Sequence, residues 1–538
     1  MRKTGATLIS GVVIAVVLSA CGGSGASHAS LAGSGGVSKN AACQRNPVHG
    51  GALVYERQAA TLTLDPLNPK NGNGDIFAYN QIYSGLVRSD PTGQTNNIVP
   101  SLAERWTVSP DGKTYTFYLR PGLKFSNGQP LTADDVAWTL NRFGNPKINS
   151  IMAAVAGGFG HASVINNTTV QVQLTRPVAA FLYDISIWPA FILPKNLVEK
   201  EGAAFYNHPV GTGPFMVQNF VKGSYITFVR NPYYWEAGKP YLNSVRYNFV
   251  SDSNTRILAV ESGSAQSLDV VPFSQVGTLR ANKSVAVQSA TVPLFLGLWL
   301  NHAKAPFADQ NVRLALQYAI DRPLINKEIF DGLGTIPNTV LMSFAMDAPD
   351  SVVHPYPYDV AKAKALMAQS KFPHGFSTTL TYPSGTDFYQ QLALALQQEF
   401  GAIGIKVKLV EQDTATVTND WFTRAYDMVF PFASFTSDIT VPDEYADFLA
   451  NWGNGFMGFD SNWRDPAVNA QVLKFESTLS QSQRSQEWAQ IQQTLMNISP
   501  VINVLSLPFV NAHRSNVCGT YLDGLGSDHL EDTWIATS

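Results

Sequence analysis

Charged residues are sparse in this chain, and no block of one sign stands out beyond a cationic pair at its start. Of 538 residues, 14% are charged, with 37 Lys and Arg against 40 Asp and Glu. No basic run follows Arg2 and Lys3, so the sequence offers no electrostatic basis for binding nucleic acid. At roughly 100–200 residues per domain, the length predicts about two to four domains.

Motifs of common hydrolases and nucleotide-binding enzymes are also missing from the sequence. It contains no G-x-S-x-G, no H-E-x-x-H and no G-x-x-x-x-G-K-[ST]. Its nine His residues include no pair at i, i+4 that would face a metal from one helix. We therefore expect a protein that is not an enzyme and needs no cofactor or resident metal; a secreted hydrolase is the alternative.

The apolar stretch near the start is too short for a membrane span, which needs about 20 residues. It runs from about Ala6 to Leu18, between a cationic start and small residues, which is typical of an export signal. The sequence Leu18-Ser19-Ala20-Cys21 resembles the bacterial lipobox, in which the cysteine is acylated and becomes the new N-terminus. We predict a signal peptide over residues 1–20 and lipidation of Cys21; cleavage nearby, with Cys21 unmodified, is the alternative.

The next segment, residues 21–43, contains little that could be buried in a core. Gly, Ser and Ala dominate "GGSGASHASLAGSGGVSKNAA", which is typical of a flexible tether. The N-terminal region therefore predicts a water-soluble body that is lipid-anchored to the outer side of a membrane.

Only three cysteines occur, and two of them, Cys43 and Cys518, lie near the two ends of the body. An exported protein meets an oxidising compartment, where cysteine pairs tend to close. A Cys43–Cys518 disulfide is plausible if both ends of the body meet in one lobe. Two separate thiols are the alternative.

Strand and helix patterns alternate along the body. "TVQVQLT" (169–175) alternates as a half-buried strand should, and Thr132 followed by Asp135 resembles a capping box at a helix start. The segment "DSNTRILAVESG" begins with capping residues and stops at Gly263. "LALALQQEFGAIGIKVKLV" predicts a helix, a Gly break and a strand, and such alternation favours an α/β architecture.

Several long stretches resemble the family 5 extracellular solute-binding proteins, which are the oligopeptide-, dipeptide- and nickel-binding components of ABC importers. The resemblance covers nearly all of the chain after the tether. The stretches that carry it are "GLVRSDPTGQTNNIVPSLAERWTVSPDGKTYTFYLRPGLKFSNGQPLTADDVAWTLNRF" (85–143), "GTGPFMVQNFVKGSYITFVRNPYYWEAGKPYLNSV" (211–245), "RILAVESGSAQSLDVV" (256–271), "LGLWLNHAKAPFADQNVRLALQYAIDR" (296–322), "YDVAKAKALMAQS" (358–370) and "GAIGIKVKL" (401–409).

The resemblance implies a two-lobed periplasmic-binding-protein-like α/β fold, type II and cluster C, with an extra domain inserted in the first lobe. Lobe I would comprise residues 44–84, 205–292 and 506–538, the inserted domain 85–204, and lobe II 293–505. This division places both ends of the body in lobe I, as the Cys43–Cys518 bond requires.

The resemblance also implies a function. The lobes would close on a solute in the cleft between them, because the closed form offers the solute more contacts than the open form. The expected partners are a peptide or other small solute, ABC permease subunits in the cytoplasmic membrane, and membrane lipid through acylated Cys21. We expect a monomer at the outer face of the cytoplasmic membrane or in the periplasm.

The family resemblance places candidate ligand contacts on both lobes. In lobe II the segment 426–448 corresponds to the one that carries an acidic partner for a peptide amine, which makes Asp438 the first candidate and Asp443 the second. The compact family pattern is altered there, so a nickel or metal chelate, an oligosaccharide, or a sensor without transport remain alternatives. The remaining candidate contacts are Asn71, Asn73, Asp75, Trp299, Asn301, Trp421, Phe432 and Phe435.

Overall fold

The structure is a computed structural model that describes residues 41–68, 73–90, 97–148, 155–339, 356–431, 443, 461–522 and 528–536. Helices and strands alternate through these ranges, which confirms the predicted α/β class. No helix among these residues is both long and apolar enough to cross a membrane.

The described part of the chain contains eighteen strands. They are Ala52–Arg57 (β1), Val87–Ser89 (β2), Ile98–Pro100 (β3), Ala103–Val108 (β4), Thr114–Leu119 (β5), Phe159–Asn166 (β6), Thr169–Leu174 (β7), Phe215–Val221 (β8), Tyr225–Arg230 (β9), Ser244–Phe249 (β10), Ser267–Leu268 (β11), Val285–Leu300 (β12), Phe376–Pro383 (β13), Ile405–Gln412 (β14), Met428–Val429 (β15), Val501–Arg514 (β16), Val517–Cys518 (β17) and Trp534–Ile535 (β18).

Fourteen α-helices have their bounds within the described ranges. They are Asn73–Ile82 (α1), Ala133–Phe143 (α2), Phe181–Asp184 (α3), Lys195–Glu201 (α4), Ser253–Ser262 (α5), Phe273–Ala281 (α6), Ala305–Ala308 (α7), Gln310–Ala319 (α8), Arg322–Phe330 (α9), Val360–Gln369 (α10), Asp387–Gly401 (α11), Thr414–Thr423 (α12), Pro466–Ser477 (α13) and Gln481–Ile498 (α14).

One mixed sheet of ten strands carries most of the fold, in the order β14-β13-β15-β12-β16-β11-β1-β10-β9-β8. Its two central strands, β12 and β16, are the longest and run antiparallel. Their register is continuous from Val285↔Arg514 to Thr291↔Pro508, then shifts twice before Gly297↔Asn503. The shifts fall where the predicted lobe I ends and lobe II begins, and the lobe boundaries themselves stay a prediction.

A second sheet, antiparallel in the order β4-β5-β7-β6, lies within the segment predicted as the inserted domain. The helix that follows β5, α2, begins with the reciprocal hydrogen bonds of a capping box. In it Thr132 donates its backbone N–H to Asp135 Oδ2 at 2.9 Å. Both this helix start and strand β7 (Thr169–Leu174) confirm the sequence predictions.

Two large hydrophobic cores are built from the described residues. One joins the strands from β1 to β10 with the inserted segment, through residues such as Tyr55, Phe117 and Val245. The other gathers helices α8, α9 and α11 around β13 and includes residues of both β12 and β16. Helix α1 contributes to both cores, with Tyr79 in the first and Phe77 in the second.

The helix ends that the sequence predicts at Asp252, Gly263 and Gly401 also match the structure. Helix α5 is capped by Asp252, which accepts from Thr255 N, and ends at Gly263 with φ of 82°. Glycine is the residue that adopts this left-handed backbone conformation with the least strain. Helix α11 is followed by a turn and by strand β14, as the helix–Gly–strand pattern predicts.

The ends of the body meet at a disulfide between Cys43 and Cys518, whose Cα atoms are 5.3 Å apart. Cys518 lies in β17, which pairs with β18, and packs with Trp534 and Tyr241. The bond spans 475 residues of sequence. A cross-link over so long a loop removes much of the conformational freedom of the unfolded chain.

We predict that replacing both Cys43 and Cys518 with Ser lowers the free energy of unfolding by about 2–5 kcal/mol, because the unfolded chain regains that freedom. Equilibrium denaturation of the oxidised protein and the variant measures the difference. The wild-type protein with its disulfide reduced serves as the control and should unfold at the same denaturant concentration as the variant. Equal midpoints for the variant and the oxidised protein would contradict the prediction.

Candidate functional site

A cavity of about 410 Å³ lies beside strand β16, between segments from both sides of the β12–β16 pair. One wall comes from the end of β1, the start of α5, the β11–α6 turn and residues 508–510 of β16. The opposite wall comes from the C-terminal part of α9 and the N-terminal part of α11. A pocket whose two walls come from opposite sides of the β12–β16 pair is suited to hold a solute between those walls.

The β11–α6 turn of the first wall has an unusual backbone. Val270 has φ of 48°, a left-handed conformation that is strained for a β-branched residue. Arg256 donates from Nη2 to the Val270 carbonyl at 3.1 Å and from Nη1 to the carbonyls of Val250 and Ser251 at 2.8 Å. The guanidinium thus fixes two loops at one wall of the cavity.

An aromatic contact joins the two walls. Phe273, the first residue of α6, lies 5.3 Å from Phe330 of α9 and 6.1 Å from Phe388 of α11, measured between ring centroids. Both pairs are near edge-to-face, the arrangement that aromatic rings favour. The rings therefore set the spacing between the walls at one end of the cavity.

Charges of both signs line the cavity. Arg256 is almost fully buried, and burial lowers its pKa, although nearby Asp269 and Asp252 oppose this shift. On the opposite wall Lys327 pairs with Glu328 at 2.6 Å, and Asp331 ends helix α9 in a left-handed conformation. Such a lining is compatible with a solute that carries both an amine and a carboxylate.

A buried ionic cluster supports the first wall from beneath. Arg57 lies between Asp269, with Nε to Oδ2 of 3.2 Å, and Asp528, with Nη1 to Oδ2 of 2.8 Å. Although burial opposes the charge, the two carboxylates raise the pKa of Arg57. Asp269 also accepts from the backbone N–H of Gln58 at 2.7 Å. Since Gln58 lines the cavity, the cluster anchors that edge.

Six of the residues predicted from the sequence cannot be placed by their side chains. Asn71, Asp438, Phe432 and Phe435 lie outside the described residues. Asn73 begins helix α1, and its side chain lies outside the described part of the chain. Cys21 also lies outside the described part. Their predicted roles stay predictions.

Asp75 is buried beside the loop that follows β1. Its Oδ1 accepts from the backbone N–H groups of Leu62 at 2.6 Å and Thr63 at 2.9 Å. The carboxylate therefore holds the loop against the N-terminal end of α1. The structure shows this structural contact, and a contact between Asp75 and a solute stays a prediction.

Trp299, Trp421 and Asn301 cluster at the far end of β12, away from the cavity lining. The two indole rings lie 5.9 Å apart, and each side chain is about 1% exposed. Asn301 donates from Nδ2 to the carbonyls of Arg424 at 3.1 Å and Tyr426 at 2.9 Å. Its Oδ1 accepts from Ala303 N and Asn462 Nδ2. The three side chains thus pack within the segment predicted as lobe II, and their contact with a solute stays a prediction.

The cavity residues Val270, Arg256 and Phe273 were not predicted from the sequence. Val270 carries no local signal, because β-branched residues rarely adopt positive φ and nothing in a sequence marks the exception. Arg256 lies in the helix that its capping pattern predicts, yet its partners are loop carbonyls set by the tertiary fold. The hydrophobic positions of α6 could have marked Phe273 only as a core residue.

No group of three or more His, Cys, Asp or Glu side chains in the described ranges is arranged to hold a metal ion. The described lining of the cavity carries hydrogen-bonding groups, charged groups and phenylalanine rings. It contains no cysteine and no histidine.

Comparisons with known proteins relate the whole body to one family. The sequence pattern of the bacterial extracellular solute-binding proteins, family 5 (middle region), matches residues 97–456. The glutathione-binding protein GsiB of Shigella flexneri serotype 5b (strain 8401) is 28% identical over 476 residues, covering 86% of this chain and 90% of that protein.

Solved structures show the same fold. DppA of Helicobacter pylori, in complex with the peptide STSA, superposes with a TM-score of 0.82 at 24% identity, covering 91% of this chain and 99% of that chain. AgaA from A.tumefacien R10, in complex with agropinic acid, gives 0.79 at 28% identity with the same coverage. The matches confirm the expected two-lobed, type II binding-protein fold.

We predict that Asn301→Ala lowers the free energy of unfolding by about 1–3 kcal/mol in the absence of any solute, because buried backbone carbonyls lose their donor. Denaturant unfolding of the solute-free protein measures the effect. Asn196→Ala, an exchange in the inserted segment away from this cluster, is the matched control and should leave the midpoint nearly unchanged. A wild-type midpoint for Asn301→Ala, with weaker solute binding, would assign Asn301 to the ligand instead.

Proposed function

The chain belongs to the bacterial extracellular solute-binding proteins, family 5, and from this membership we propose that it captures short peptides for an ABC importer. Proteins of this family bind small solutes and deliver them to ABC permeases, which places them in the cell envelope. Within this role, the identity of the solute and the mode of membrane attachment are our proposals.

The observation that carries the proposal is the cavity between the two walls. Its volume of about 410 Å³ lies toward the low end of the roughly 300–1,000 Å³ usual for small-molecule sites. Because the walls come from both sides of the β12–β16 pair, a solute bound there contacts both and favours the closed form. Binding and closure require no change in covalent bonds.

A peptide fits the chemistry of the lining. Its amine and carboxylate ends match a lining that carries Glu328, Asp331 and Lys327. The relative GsiB is named for glutathione, itself a short peptide, and DppA holds the peptide STSA. We propose Asp438 as the partner of the peptide amine. Asp443, the second candidate from the sequence, is buried and accepts from Arg484 at 3.1 and 2.6 Å, outside the cavity lining.

A small organic acid is the second candidate solute. AgaA, which holds agropinic acid, shares 28% identity with this chain, as much as the glutathione-binding relative does. If a metal chelate or an oligosaccharide is found bound to the protein, that solute replaces the peptide in our proposal. In every case the mode of action, capture by closure, is the same.

We also propose that the protein is a monomeric lipoprotein. The export signal over residues 1–20, the lipobox cysteine Cys21 and the Gly/Ser-rich tether to residue 43 support attachment to the outer face of the cytoplasmic membrane. Two acyl chains anchor a protein stably, whereas one gives only marginal binding.

We predict that di- and tripeptides raise the thermal midpoint of the purified protein, because a ligand that binds only the folded state stabilises it. At a concentration of 100 times Kd the stabilisation is about 2.7 kcal/mol. Native mass spectrometry should also reveal co-purified masses that correspond to peptides. Asp438→Asn should reduce the peptide-induced shift, and Glu199→Gln, an exposed acid of the inserted segment, should not.

Other outcomes identify other solutes. A shift produced only by nickel–histidine or by an oligosaccharide, with no response to any peptide, would overturn the peptide proposal. A peptide that is cleaved during incubation would overturn the assignment as a binding protein without catalysis.

Lipid attachment is tested separately. We predict that Cys21→Ser moves the protein from the membrane fraction to the soluble fraction of expressing cells, because acyl chains supply roughly 0.8 kcal/mol per buried methylene. Ser24→Ala, in the adjoining tether, should remain with the membranes. Retention of Cys21→Ser in the membrane fraction would contradict lipidation at this residue.

A further inference from the structure

A contact outside the cavity lining joins the inserted segment to the C-terminal end of helix α13. Arg176, two residues after strand β7, pairs through Nη2 with Glu476 Oε2 at 2.6 Å. It also donates from Nη1 to Ser477 Oγ at 3.3 Å. The backbone N–H of Ala179 donates to the Glu476 carbonyl at 2.9 Å. The segment 176–179 is thus attached to α13 by both its backbone and a side chain.

An apolar contact extends the same surface to the loop between α13 and α14. The two helices form a hairpin, in which Phe475 stacks on Trp488 with ring centroids 5.5 Å apart. Leu479, in the loop of this hairpin, lies on Gly112 of the β4–β5 turn, where a Cβ atom would meet Leu479 Cδ1 at 2.5 Å. Glycine at this position lets Leu479 lie directly on the backbone of the turn. The inserted segment therefore meets the hairpin at two places.

The two partners of this contact are attached to different hydrophobic cores. Strand β7 contributes Val170 and Val172 to the first core, which among the described residues includes none of α13 or α14. The end of α14 is held by α8, where Arg313 donates from Nη2 to the Ile498 carbonyl at 2.9 Å. Helix α8 in turn contributes Leu316 to the second core. The contact thus links the two cores by a path separate from strands β12 and β16.

We propose that this contact is a latch, which forms when the lobes close and separates when they open. Its groups suit repeated separation, because the side chain of Arg176 is 33% exposed within the contact and Leu479 is 48% exposed. The proposal rests on the proposed function, since it assigns the contact to the closing movement that captures a solute. Arg176 is then a positioning residue, which shifts the balance between the open and closed forms without touching the solute.

A latch of this kind affects solute affinity by changing populations. The apparent affinity falls in proportion to the fraction of molecules in the binding-competent form. Loss of the Arg176 pair should therefore raise the dissociation constant of a bound solute by about two- to fivefold, the range expected of a partly exposed ion pair. The change should fall on the dissociation rate, because the latch lies outside the cavity lining and closes after the solute has entered.

A reversible cross-link across the latch tests the proposal without any solute. The Cβ position on Gly112 lies 3.4 Å from Leu479 Cγ. A disulfide, with about 3.5–4.5 Å between its Cβ atoms, can therefore span the contact in the double variant Gly112→Cys, Leu479→Cys. Small-angle X-ray scattering of the full chain compares the oxidised and reduced forms. The oxidised form should have the smaller radius of gyration, because the bond holds the lobes closed and the reduced form lacks the packing of Leu479.

Gly112→Ser with Leu479→Ser is the matched control, because it has side chains of the same size and cannot cross-link. Its radius of gyration should not respond to oxidant or reductant. Mild reductant should open the engineered bond and spare the Cys43–Cys518 bond, since Cys518 is about 1% exposed. Equal radii for the oxidised and reduced cysteine variant would show that the contact exists in every form of the protein, and would overturn the latch. Failure of the cross-link to form under oxidant would overturn it as well.

Hydrogen exchange supplies a second measurement, because the Ala179 N–H donates across the contact. Arg176→Gln should speed exchange of this amide by about two- to fivefold and leave the amides of β7 unchanged, since the inserted sheet stays folded when the lobes part. Arg176→Lys keeps the charge and should restore the slower rate. An Ala179 rate in Arg176→Gln equal to that of the wild-type chain would contradict the latch. Because neither experiment uses a solute, failure of the latch is separable from failure of the peptide proposal, which the thermal shift with peptides tests.

Discussion

The antiparallel pairing of β12 with β16 is the interaction on which the rest of the structure depends. Within the described part of the chain these two strands, Val285–Leu300 and Val501–Arg514, join β15 on one side of the ten-stranded sheet to β11 on the other. Their register shifts between Thr291 and Gly297, where the pairing changes from one side to the other. The regular hydrogen bonding of the pair is interrupted in this short irregular stretch.

The cavity takes its position from the same pair. Phe509 of β16 lies in its lining, while the remaining walls attach to opposite flanks of the sheet. On one flank, the buried cluster of Arg57, Asp269 and Asp528 holds the loops that reach the cavity. On the other flank, aromatic packing around Phe330 and Phe388 positions the helix ends. The two supported cavity walls and the irregular stretch of β12 and β16 between them suit the closing movement that we propose.

The sequence predicted the fold far better than the site. Local signals, such as the capping box at Thr132 and Asp135 or the glycine stop at Gly263, depend on neighbours within a few residues, and the structure reproduces them. The cavity depends on contacts between distant segments. Arg256 gains its role from the carbonyl of Val270, and Val270 adopts a conformation that its side chain disfavours. Trp299 and Asn301 are buried, which the sequence did not indicate, and their predicted contact with a solute stays a prediction.

The disulfide has a mechanical consequence. Cys43 is the residue at which the N-terminal segment joins the folded body, and it is bonded to Cys518, close to the other terminus. Tension applied between the two chain ends therefore passes through one covalent bond and bypasses the 475 residues enclosed by it. If the protein is attached through its N-terminal segment, as proposed above, the disulfide carries a pull between the two ends past the chain that lies between Cys43 and Cys518.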